Sequence, residues 1–542
     1  MSIAPARSTP SSPAQDCPDL LDQNLTFAAL WSSRVELTPG ASFLVFQEDG
    51  GSTHAWTYGE FDQVVARTAA GLAAHGVEAG TAVHMALRNS PIFVATWLAC
   101  ARLGAWMVPV DPASTARDLR QQIDRVKPVL GICATDRREV YAAAAGDLPF
   151  VEVSETGSGV TTDIFGVEES DELGGSGAQP LPGDRLAVMF TSGTTSQPKG
   201  VVLTQANYVT LARSMSGIID LRPDHRFLVT LPMFHANAQY YCFCPAIAVG
   251  ASVALTASFS ASRWVQSAHD LEVTHASLFA APVRMILARV PDDAPALHLV
   301  HVWYAQSLGE EHHARFGELV GALPRQLYGM TETVAIVTAD TSTPPRHDAI
   351  GRPIPGRRLR LLDQTTGLPA RSGEPGMISV AGTRGMDLFV EYLDDPAVTE
   401  RSFSEIDGVT WFATGDLAAE GPDGLMRFIG RADDVIKVAG ENVSLSEVEA
   451  TIAQAPGVLE AAVVARPDEM RDHVPVAYVV AREDGPAPTI GDLEAWARVE
   501  LSPAARPREW ILIDSLPRTS VGKVKRLALT DAASSHGTTT AP

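Results

Sequence analysis

Apolar runs alternate with segments of helical periodicity through residues 40–360, and this alternation predicts an α/β fold. The run Val94–Gly104 predicts a buried helix, and Trp106–Val110 predicts the strand after it. Leu186–Phe190 is a short apolar run that ends at a loop of Gly, Ser and Thr, while Leu297–Tyr304 alternates as a strand does. The pattern therefore favours a large domain of mixed sheets with flanking helices.

The pattern changes after about residue 430, where a shorter α+β unit begins. We predict a helix, two strands, a helix and a strand, at Leu445–Gln454, Leu459–Ala465, Val474–Val480, Asp492–Val499 and Trp510–Ile513. Ser446 and Glu449 fit a capping box at the first of these helices. A boundary near Arg431 then gives a disordered tail, a large N-terminal domain, a hinge, a small mobile α+β domain and a second disordered tail: residues 1–19, 20–430, 431–433, 434–531 and 532–542.

The composition of the 542-residue chain is that of a folded soluble protein, with 45% apolar and 20% charged residues. A formal net charge of −22 argues against nucleic-acid and anionic-membrane partners. The uncharged stretch Phe227–Ser262 contains Pro232, Pro245 and Gly250, and it predicts a strand, a buried helix and a strand rather than a membrane span. Five dispersed cysteines and the lack of a signal-peptide pattern indicate a cytoplasmic protein.

The segment Thr191–Gly200, with the sequence TSGTTSQPKG, carries the strongest chemical signal in the chain. A strand enters a loop that contains glycines, several hydroxyl side chains and Lys199. Glycines let the backbone approach phosphate oxygens, hydroxyls and amides donate hydrogen bonds to them, and the lysine supplies positive charge. The Walker pattern is absent, so we predict a phosphate-binding loop of another kind rather than a surface linker.

Six motifs, in order along the chain, resemble those of the adenylate-forming superfamily of acyl-CoA synthetases, peptide-synthetase adenylation domains and luciferases. They are TSGTTSQPKG, LPMFH (Leu231–His235), YGMTET (Tyr328–Thr333), TGDLA (Thr414–Ala418), GRADDVIKVAGENVSLSEVE (Gly430–Glu449) and PRTSVGK (Pro517–Lys523). The resemblance spans about residues 30–530, and it is strongest to the crotonobetaine/carnitine-CoA ligase branch. It implies an enzyme that uses ATP to make an acyl-adenylate and then transfers the acyl group to a thiol.

The resemblance also implies an ATP site. In the family, the residue at Tyr328 stacks on adenine, Thr331 touches phosphate and Glu332 holds Mg²⁺, because a carboxylate beside triphosphate requires a metal. Asp416 is expected to accept hydrogen bonds from the ribose hydroxyls, and Arg431 to contact the ribose. The implied ATP-binding residues are Thr191, Ser192, Gly193, Thr194, Thr195, Lys199, Gln326, Tyr328, Gly329, Met330, Asp416 and Arg431, and the implied catalytic residues are Thr331, Glu332 and Lys523.

Lys523 occupies the position of the family's catalytic lysine. A cation that bridges the attacking carboxylate and the α-phosphate stabilises the transition state electrostatically. Lys199 and Lys523 lie over 300 residues apart, in different predicted domains, so the small domain is expected to close over the large one. By resemblance, Asp433 is the hinge for a rotation that exposes a channel to a second nucleophile, usually coenzyme A. The acceptor channel is implied at Gly440, Glu441 and Asn442.

The acyl pocket is implied at the family's substrate helix, which begins at His235, and at the loop after a predicted strand. Its members are His235, Asn237, Gln239, Tyr304, Ala305 and Gln306. A buried polar group that lacks a partner costs about 1–3 kcal/mol, so these polar positions favour a small polar or aromatic acid unless they bond one another. Five departures from the family pattern leave the acid and the acceptor open: Ser196, Gln205, Gln306, Gln326 and Leu445.

Three enzymatic functions fit these residues. The leading one is an acid–CoA ligase that uses ATP, Mg²⁺ and coenzyme A and acts as a monomer or homodimer. The second is an adenylation enzyme that loads a carrier protein in natural-product biosynthesis. The third is a diazotase, which activates nitrite with ATP toward an aromatic amine. A non-enzymatic binding module is disfavoured, because the expected catalytic and binding positions are intact: Lys199, Glu332, Asp416 and Lys523.

Overall fold

The computed structural model describes residues 22, 24–160, 179–191, 198–334, 336–438, 441–468, 470–482, 485–518, 524–526 and 528–530. In these ranges the helices are α1 (Phe27–Leu37), α2 (Tyr58–Ala74), α3 (Pro91–Leu103), α4 (Ala116–Val126), α5 (Arg138–Ala145), α6 (Gln205–Ile218), α7 (Ala236–Ala238), α8 (Cys244–Val249), α9 (Trp264–Asp270), α10 (Ala280–Arg289), α11 (Glu310–Val320), α12 (Pro396–Ser402), α13 (Leu445–Ile452) and α14 (Ile490–Glu500). A π-helical turn, Gln239–Phe243, joins α7 to α8.

The strands of the two large sheets are β1 (Ser42–Gln47), β2 (Thr53–Thr57), β3 (Ala82–Ala86), β4 (Trp106–Val110), β5 (Leu130–Ala134), β6 (Phe150–Val153), β7 (Arg185–Thr191), β8 (Lys199–Thr204), β9 (Arg226–Val229), β10 (Ser252–Thr256), β11 (His275–Phe279), β12 (His301–Ala305), β13 (Arg325–Tyr328), β14 (Thr338–Ala339) and β15 (Arg352–Pro353). The smaller sheets contain β16 (Arg358–Leu362), β17 (Gly376–Ala381), β18 (Phe403–Ile406), β19 (Val409–Glu420), β20 (Met426–Arg431), β21 (Val435–Val438), β22 (Glu441–Ser444), β23 (Val458–Asp468), β24 (Asp472–Ala481) and β25 (Glu509–Leu512).

The first large sheet has six strands in the order β6-β5-β3-β4-β7-β8. Its strands run parallel except β8, which pairs antiparallel with β7. Every residue of β3, β4 and β5 is buried, because helices and the second sheet cover a parallel sheet on both faces. The β7–β8 pair returns the chain to the same edge, so both ends of the predicted phosphate loop lie side by side.

The second large sheet has nine strands in the order β15-β14-β13-β12-β11-β9-β10-β1-β2. The six strands from β13 to β1 in this order are parallel, and the pairs β1–β2, β13–β14 and β14–β15 are antiparallel. Ligands bind α/β sheets beyond the carboxyl ends of their strands. Because β11, β12 and β13 are parallel, their last residues Phe279, Ala305 and Tyr328 lie at one edge, and that edge positions the candidate site.

The remaining strands form two five-stranded sheets. In the first, β16, β17, β19 and β18 pair in that order and β20 adds to β19, while in the second, β22, β21, β24 and β23 pair and β25 adds to β24. The largest apolar core contains residues of both large sheets, including Phe46, Val83, Leu203 and Phe227. Two smaller apolar clusters in the described ranges contain only residues between 436 and 529. The predicted mixed α/β fold with a small C-terminal unit is therefore confirmed.

Most of the predicted elements match the observed ones, with two corrections. The strand expected from Leu297 begins only at His301. The capping box at Ser446 and Glu449 was wrong, because α13 is capped by Ser444, whose hydroxyl accepts from the backbone of Glu447 at 3.2 Å. Glu449 instead accepts from the backbone N–H of Val463 at 3.2 Å and joins the helix to β23. The residue limits of the domains stay predictions, and both predicted tails lie outside the described residues.

None of the helices in the described ranges is both long and apolar enough to cross a bilayer. The uncharged stretch Phe227–Ser262 forms most of β9, α7, the π-helical turn, α8 and β10, in line with the predicted strand, buried helix and strand. A change to π-type hydrogen bonding inside a helix is often found at functional sites. This turn begins at the predicted substrate residue Gln239, two residues after Asn237.

Candidate active site

The predicted phosphate loop lies between β7 and β8. Thr191 and Lys199 are register partners at the open end of this pair, and the Thr191 hydroxyl donates to the Lys199 carbonyl at 3.5 Å. The ladder therefore fixes where the loop begins and ends. The predicted loop residues between them lie outside the described residues: Ser192, Gly193, Thr194 and Thr195.

Glu332 lies in the 3₁₀ turn Thr331–Thr333 after β13, and only 4% of its surface is exposed. The Tyr392 hydroxyl donates to Glu332 Oε1 at 3.0 Å. The Lys199 ammonium lies over the Tyr392 ring, 5.0 Å from its centroid. Tyr392 thus contacts both the phosphate-loop lysine and the predicted metal-binding carboxylate. Tyr392 was not predicted from the sequence, since the surrounding segment EYLDD belongs to none of the six motifs.

The environment of Glu332 fits a magnesium ion. Burial raises the pKa of this carboxyl, while hydrogen bonds and the charges of Arg431 and Lys199 lower it to a smaller extent. A nearby cation would offset the cost of keeping the buried carboxylate ionised. Mg²⁺ usually takes one or two protein carboxylates and completes its coordination with water and substrate phosphates. In the described ranges, no group of three or more His, Cys, Asp or Glu side chains could hold a metal ion. Glu332 therefore suits a Mg²⁺ site in which the protein gives one carboxylate and the substrate phosphates and water complete the coordination.

Tyr328, Asp416 and Arg431 form the second half of the site. The Tyr328 hydroxyl donates to Asp416 Oδ2 at 2.8 Å, and Arg431 Nε lies 3.5 Å from Asp416 Oδ1. Asp416 and Arg431 are register partners on β19 and β20, which explains how residues from two motifs meet. The Phe428 ring lies 6.0 Å from the Tyr328 ring, tilted by 34°. This arrangement presents an aromatic surface beside a carboxylate and a guanidinium, groups that suit a base and a ribose.

Gln326 and Tyr304 pair within the chain. The Tyr304 hydroxyl donates to Gln326 Oε1 at 3.4 Å, and Gln326 Nε2 donates to the Gln306 carbonyl at 3.0 Å. Both side chains are buried, whereas Gln306 is exposed just beyond Ala305, the last residue of β12. Gln306 has a φ of +74°, unusual for a residue other than glycine. Gln306 is one of the five departures from the family pattern, and it holds a backbone conformation that glycine adopts at lower cost.

The substrate-helix residues differ in how fully they are paired. Gln239 accepts from the Tyr208 hydroxyl at 2.7 Å and donates to the Met233 carbonyl at 2.7 Å, so the protein satisfies its amide. Asn237 Nδ2 donates to Ser277 Oγ at 3.0 Å, but its buried Oδ1 has no partner among the described residues. His235 lies half-buried against Phe234, at 4.6 Å between ring centroids. Of the predicted pocket residues on this helix, Asn237 therefore has a buried acceptor to offer a substrate.

One contact joins the substrate helix to the phosphate side. The Tyr240 hydroxyl, in the π-helical turn, donates to the Thr331 carbonyl at 3.3 Å. Gly329 and Met330 lie between β13 and the 3₁₀ turn Thr331–Thr333. The Met330 N–H donates to Thr333 Oγ1 at 3.0 Å. The predicted acyl and phosphate sites are therefore neighbours in space, although about 90 residues of chain separate them.

The predicted C-terminal residues are only partly described. Asp433 lies in the 3₁₀ turn Ala432–Asp434 between β20 and β21. Glu441 begins β22 and is exposed, and Asn442 pairs with Lys437 in the backbone ladder. Gly440 and Lys523 lie outside the described residues. The roles of hinge, acceptor channel and catalytic lysine therefore rest on the resemblance.

Comparisons with known proteins match this architecture. The family model described as "AMP-binding enzyme" matches residues 31–390, and the one described as "AMP-binding enzyme C-terminal domain" matches residues 447–523. Sulfoacetate–CoA ligase of Cupriavidus necator is 31% identical over 94% of this chain and 98% of its own length. Crotonobetaine/carnitine–CoA ligase of Proteus mirabilis is 29% identical over 91% and 97%, and 4-coumarate–CoA ligase 3 of Oryza sativa is 28% identical over 94% and 92%.

Solved structures share the fold. The anthranilate CoA ligase AuaEII in complex with anthranoyl-AMP superposes with a TM-score of 0.82, at 21% identity, over 95% of this chain and 99% of its own. ATP-bound MatB from Rhodopseudomonas palustris gives a TM-score of 0.80 at 24% identity, over 94% and 99%. At these identities the likeness shows the fold alone.

Proposed function

This chain belongs to the AMP-binding enzyme family, and we propose that it is an AMP-forming acid–CoA ligase for a small polar or aromatic acid. The observation that carries the proposal is two groups of contacts at and just after the end of β13. Glu332, in the turn after β13, accepts from Tyr392, whose ring lies under Lys199, and we assign these residues to the metal and the phosphates. Tyr328, the last residue of β13, donates to Asp416, and we assign this pair to the nucleoside. The three relatives described above are CoA ligases, which favours coenzyme A as the acceptor.

In the first half-reaction, a carboxylate oxygen of the acid attacks the α-phosphorus of ATP. The bond from that phosphorus to the bridging oxygen breaks, and pyrophosphate leaves. Lys199 and the backbone amides of its loop are assigned to the phosphates, Asp416 to the ribose hydroxyls, and Tyr328 to the adenine face. Glu332 would hold Mg²⁺, which supplies charge neutralisation for the polyphosphate. Lys523 is assigned to the bridge between the attacking carboxylate and the α-phosphate.

In the second half-reaction, the thiolate of coenzyme A attacks the acyl carbonyl, a thioester forms and AMP leaves. We assign the change between the two steps to rotation at Asp433, which would bring Gly440, Glu441 and Asn442 to the acceptor channel. The contact between Ser444 Oγ and the Ile429 carbonyl, at 2.6 Å, lies just across this turn and would break or shift on rotation.

The proposal is tested by pyrophosphate release from ATP across a panel of acids, with and without coenzyme A, followed by mass spectrometry of the products. We expect acid-dependent pyrophosphate release, faster AMP formation when coenzyme A is present, and a thioester product. Parallel reactions contain nitrite with an aromatic amine, or a carrier protein in place of coenzyme A. Nitrite-dependent AMP release that coenzyme A does not affect would overturn the ligase assignment. Acylation of the carrier protein but not of coenzyme A would overturn the assignment of coenzyme A as the acceptor.

Replacing Tyr392 with phenylalanine should raise the magnesium concentration needed for activity by about tenfold or more. The change keeps the ring under Lys199 but removes the hydroxyl that orients Glu332, and losing such a supporting hydrogen bond typically costs about 10–100-fold in metal affinity. The measurement is pyrophosphate release as a function of magnesium at fixed ATP. Tyr478→Phe is the control, since the Tyr478 hydroxyl donates to the Leu529 carbonyl in the small C-terminal unit. Equal magnesium dependence in both variants would contradict the role of Tyr392.

Replacing Asp433 with proline should slow thioester formation more than adenylation. Proline fixes φ near −65° and also restricts the preceding residue, so a turn that must change its backbone angles would be held in one state. Stopped-flow measurements of the two half-reactions provide the test, and Asp433→Ala, which leaves the backbone free, is the control. If the proline variant performs both half-reactions at the rates of the alanine variant, the rotation does not occur at Asp433.

A further inference from the structure

A column of polar side chains lies on one face of β11 and β12. These strands pair in parallel register, with His275 opposite His301 and Ser277 opposite Trp303. Alternate residues of a strand point to the same face, so these four side chains share one side of the sheet. Asn237 of α7 reaches this side, since its Nδ2 donates to Ser277 Oγ. We call these residues the polar strip: Asn237, Ser277, Trp303, His275 and His301.

The polar strip lies directly below the predicted acyl pocket. The next pair in the register, toward the carboxyl ends of the strands, is Phe279 with Ala305, and Ala305 is a predicted pocket residue. A strand rises about 3.3 Å per residue, so Trp303 lies about 6–7 Å deeper than Ala305. That depth suits a single aromatic ring with a substituent at its far end. The His275–His301 pair lies two residues deeper again, where the His301 ring packs against Trp303 at 4.2 Å and the His225 ring packs against His275 at 4.5 Å between centroids.

Four buried atoms of the polar strip have no hydrogen-bond partner among the described residues: Asn237 Oδ1, Trp303 Nε1, His275 Nε2 and His301 Nε2. Buried polar atoms in native proteins are nearly always paired, and each unpaired one costs about 1–3 kcal/mol. Indole N–H can only donate and an amide oxygen can only accept. Trp303 and Asn237 therefore offer a donor and an acceptor to a group that has both, such as a hydroxyl or an amine.

The surroundings favour an uncharged group. Burial lowers the pKa of both His275 and His301 to about 3, so both imidazoles are neutral at neutral pH. The arginines whose charge acts on these two imidazoles already have partners: Arg222 pairs with Asp224 at 3.3 Å, and Arg325 donates to the Ser342 carbonyl at 2.8 Å. A carboxylate or an ammonium buried at the strip would lose its hydration without gaining a counter-charge, which is costly.

Resting on the proposed ligase function, we propose that the acid carries a neutral hydroxyl or aromatic amino group at the end opposite its carboxylate, bound by Asn237 and Trp303. The substrate class is thus a hydroxy- or amino-substituted aromatic acid of one ring. Ser277 acts as a positioning residue, because it holds the Asn237 amide through its hydroxyl.

The test compares kcat/KM for pyrophosphate release with benzoates that carry hydroxyl, amino, methyl or carboxylate groups at position 3 or 4. We expect the best hydroxyl or amino acid to exceed its methyl counterpart by about tenfold or more, because the methyl group leaves Asn237 and Trp303 unpaired. The dicarboxylates should be poor substrates. If the methyl and hydroxyl acids are used equally well, buried waters satisfy the strip and the inference is overturned.

Two substitutions in the polar strip test whether it recognises the hydroxyl or amino group of the acid. Asn237→Leu and Trp303→Phe should reduce the ratio of hydroxyl to methyl kcat/KM toward one, chiefly by lowering the value for the hydroxyl acid. Tyr208→Phe is the control, since it breaks the hydrogen bond to Gln239 beside the strip and should change both acids by the same factor. Trp303→Phe preserves an aromatic ring, so it keeps the test valid if Asn237→Leu fails to fold.

The outcomes distinguish this inference from the proposed function. Acid-dependent pyrophosphate release with an unchanged ratio in both variants would overturn the role of the polar strip and leave the ligase assignment standing. The absence of pyrophosphate release with every acid, in an enzyme that still binds ATP, would overturn both.

Discussion

Replacing Lys523 with alanine is expected to lower the rate of adenylation by about 10²–10³-fold or more, while transfer from a supplied acyl-adenylate to coenzyme A stays near its normal rate. The physical reason is that two anions, the carboxylate and the α-phosphate, must approach each other in the first step only. A positioned cation lowers that barrier, and removing one such electrostatic contact typically costs this much. In the second step the attacking group is a thiolate and the leaving group is AMP. The proposed rotation would then place a different face of the small domain beside the reacting groups.

Pyrophosphate release reports the first half-reaction, and AMP release from synthetic acyl-adenylate reports the second. Lys525→Ala is a matched control, because Lys525 lies two residues further on, is exposed, and makes its described hydrogen bond, to the Pro517 carbonyl, through its backbone N–H. The control should retain both activities. Equal loss of both half-reactions in Lys523→Ala would remove the assignment of this lysine to adenylation.

The fold was predictable because the pattern of apolar and polar residues in each segment indicates its own helix or strand. The strand Trp106–Val110 was predicted with the bounds that β4 has, because an uninterrupted apolar run before Asp111 leaves little choice. The cap of α13 was less predictable. Two serines and two glutamates lie within Ser444–Glu449, and local sequence does not show which of them caps the helix. Glu449 takes no part in the cap, because it accepts from the backbone N–H of Val463 on β23.

The partners of the site residues could not be read from the sequence. Tyr392 lies 60 residues from Glu332, and their contact depends on the chain returning beside β8, where the Val202 N–H donates to the Glu391 carbonyl at 3.0 Å. The Asp416–Arg431 contact likewise requires the register of β19 and β20. Local patterns predict which strands exist, but register between strands depends on packing across the whole sheet.

The hydrogen-bond partners of the predicted substrate residues also depend on contacts that the sequence does not show. The polar character of Asn237 and Gln239 was visible in the sequence, yet Gln239 is satisfied by Tyr208 and Met233 whereas Asn237 keeps an unpaired acceptor. Trp303 and Ser277 went unnoticed, since a tryptophan and a serine on predicted strands suggest an ordinary core. Only the register that sets them side by side shows a polar strip beneath the pocket.

Replacing Glu332 with glutamine is expected to weaken the use of Mg·ATP by about 100-fold or more while leaving the ligand-free fold at least as stable as before. The amide keeps the size of the side chain and can still accept from Tyr392, but it loses the charge that would hold the metal. Losing a partner that merely supports a metal ligand costs about 10–100-fold in affinity, so losing the ligand's charge should cost no less.

The direction of the stability change follows from the pKa of Glu332, which burial raises above its ordinary value. Between the unfolded and folded pKa values the folded chain binds the extra proton, so stability falls as pH rises through that interval. Above it, the ionised carboxylate destabilises the fold by its full amount, and glutamine removes this cost. Without ligands, Glu332→Gln should therefore melt at or above the temperature of the unmodified protein at neutral pH.

Melting curves with and without Mg·ATP separate the two effects in one experiment. A ligand at 100 times its Kd stabilises a protein by about 2.7 kcal/mol, and a variant that binds about 100-fold more weakly loses most of that stabilisation. Glu310→Gln is the control, because this carboxylate is exposed in the first turn of α11 and should leave the ligand response intact. A variant at Glu332 that melts lower without ligand yet keeps the normal response to Mg·ATP would show that the carboxylate supports the fold and does not hold the metal.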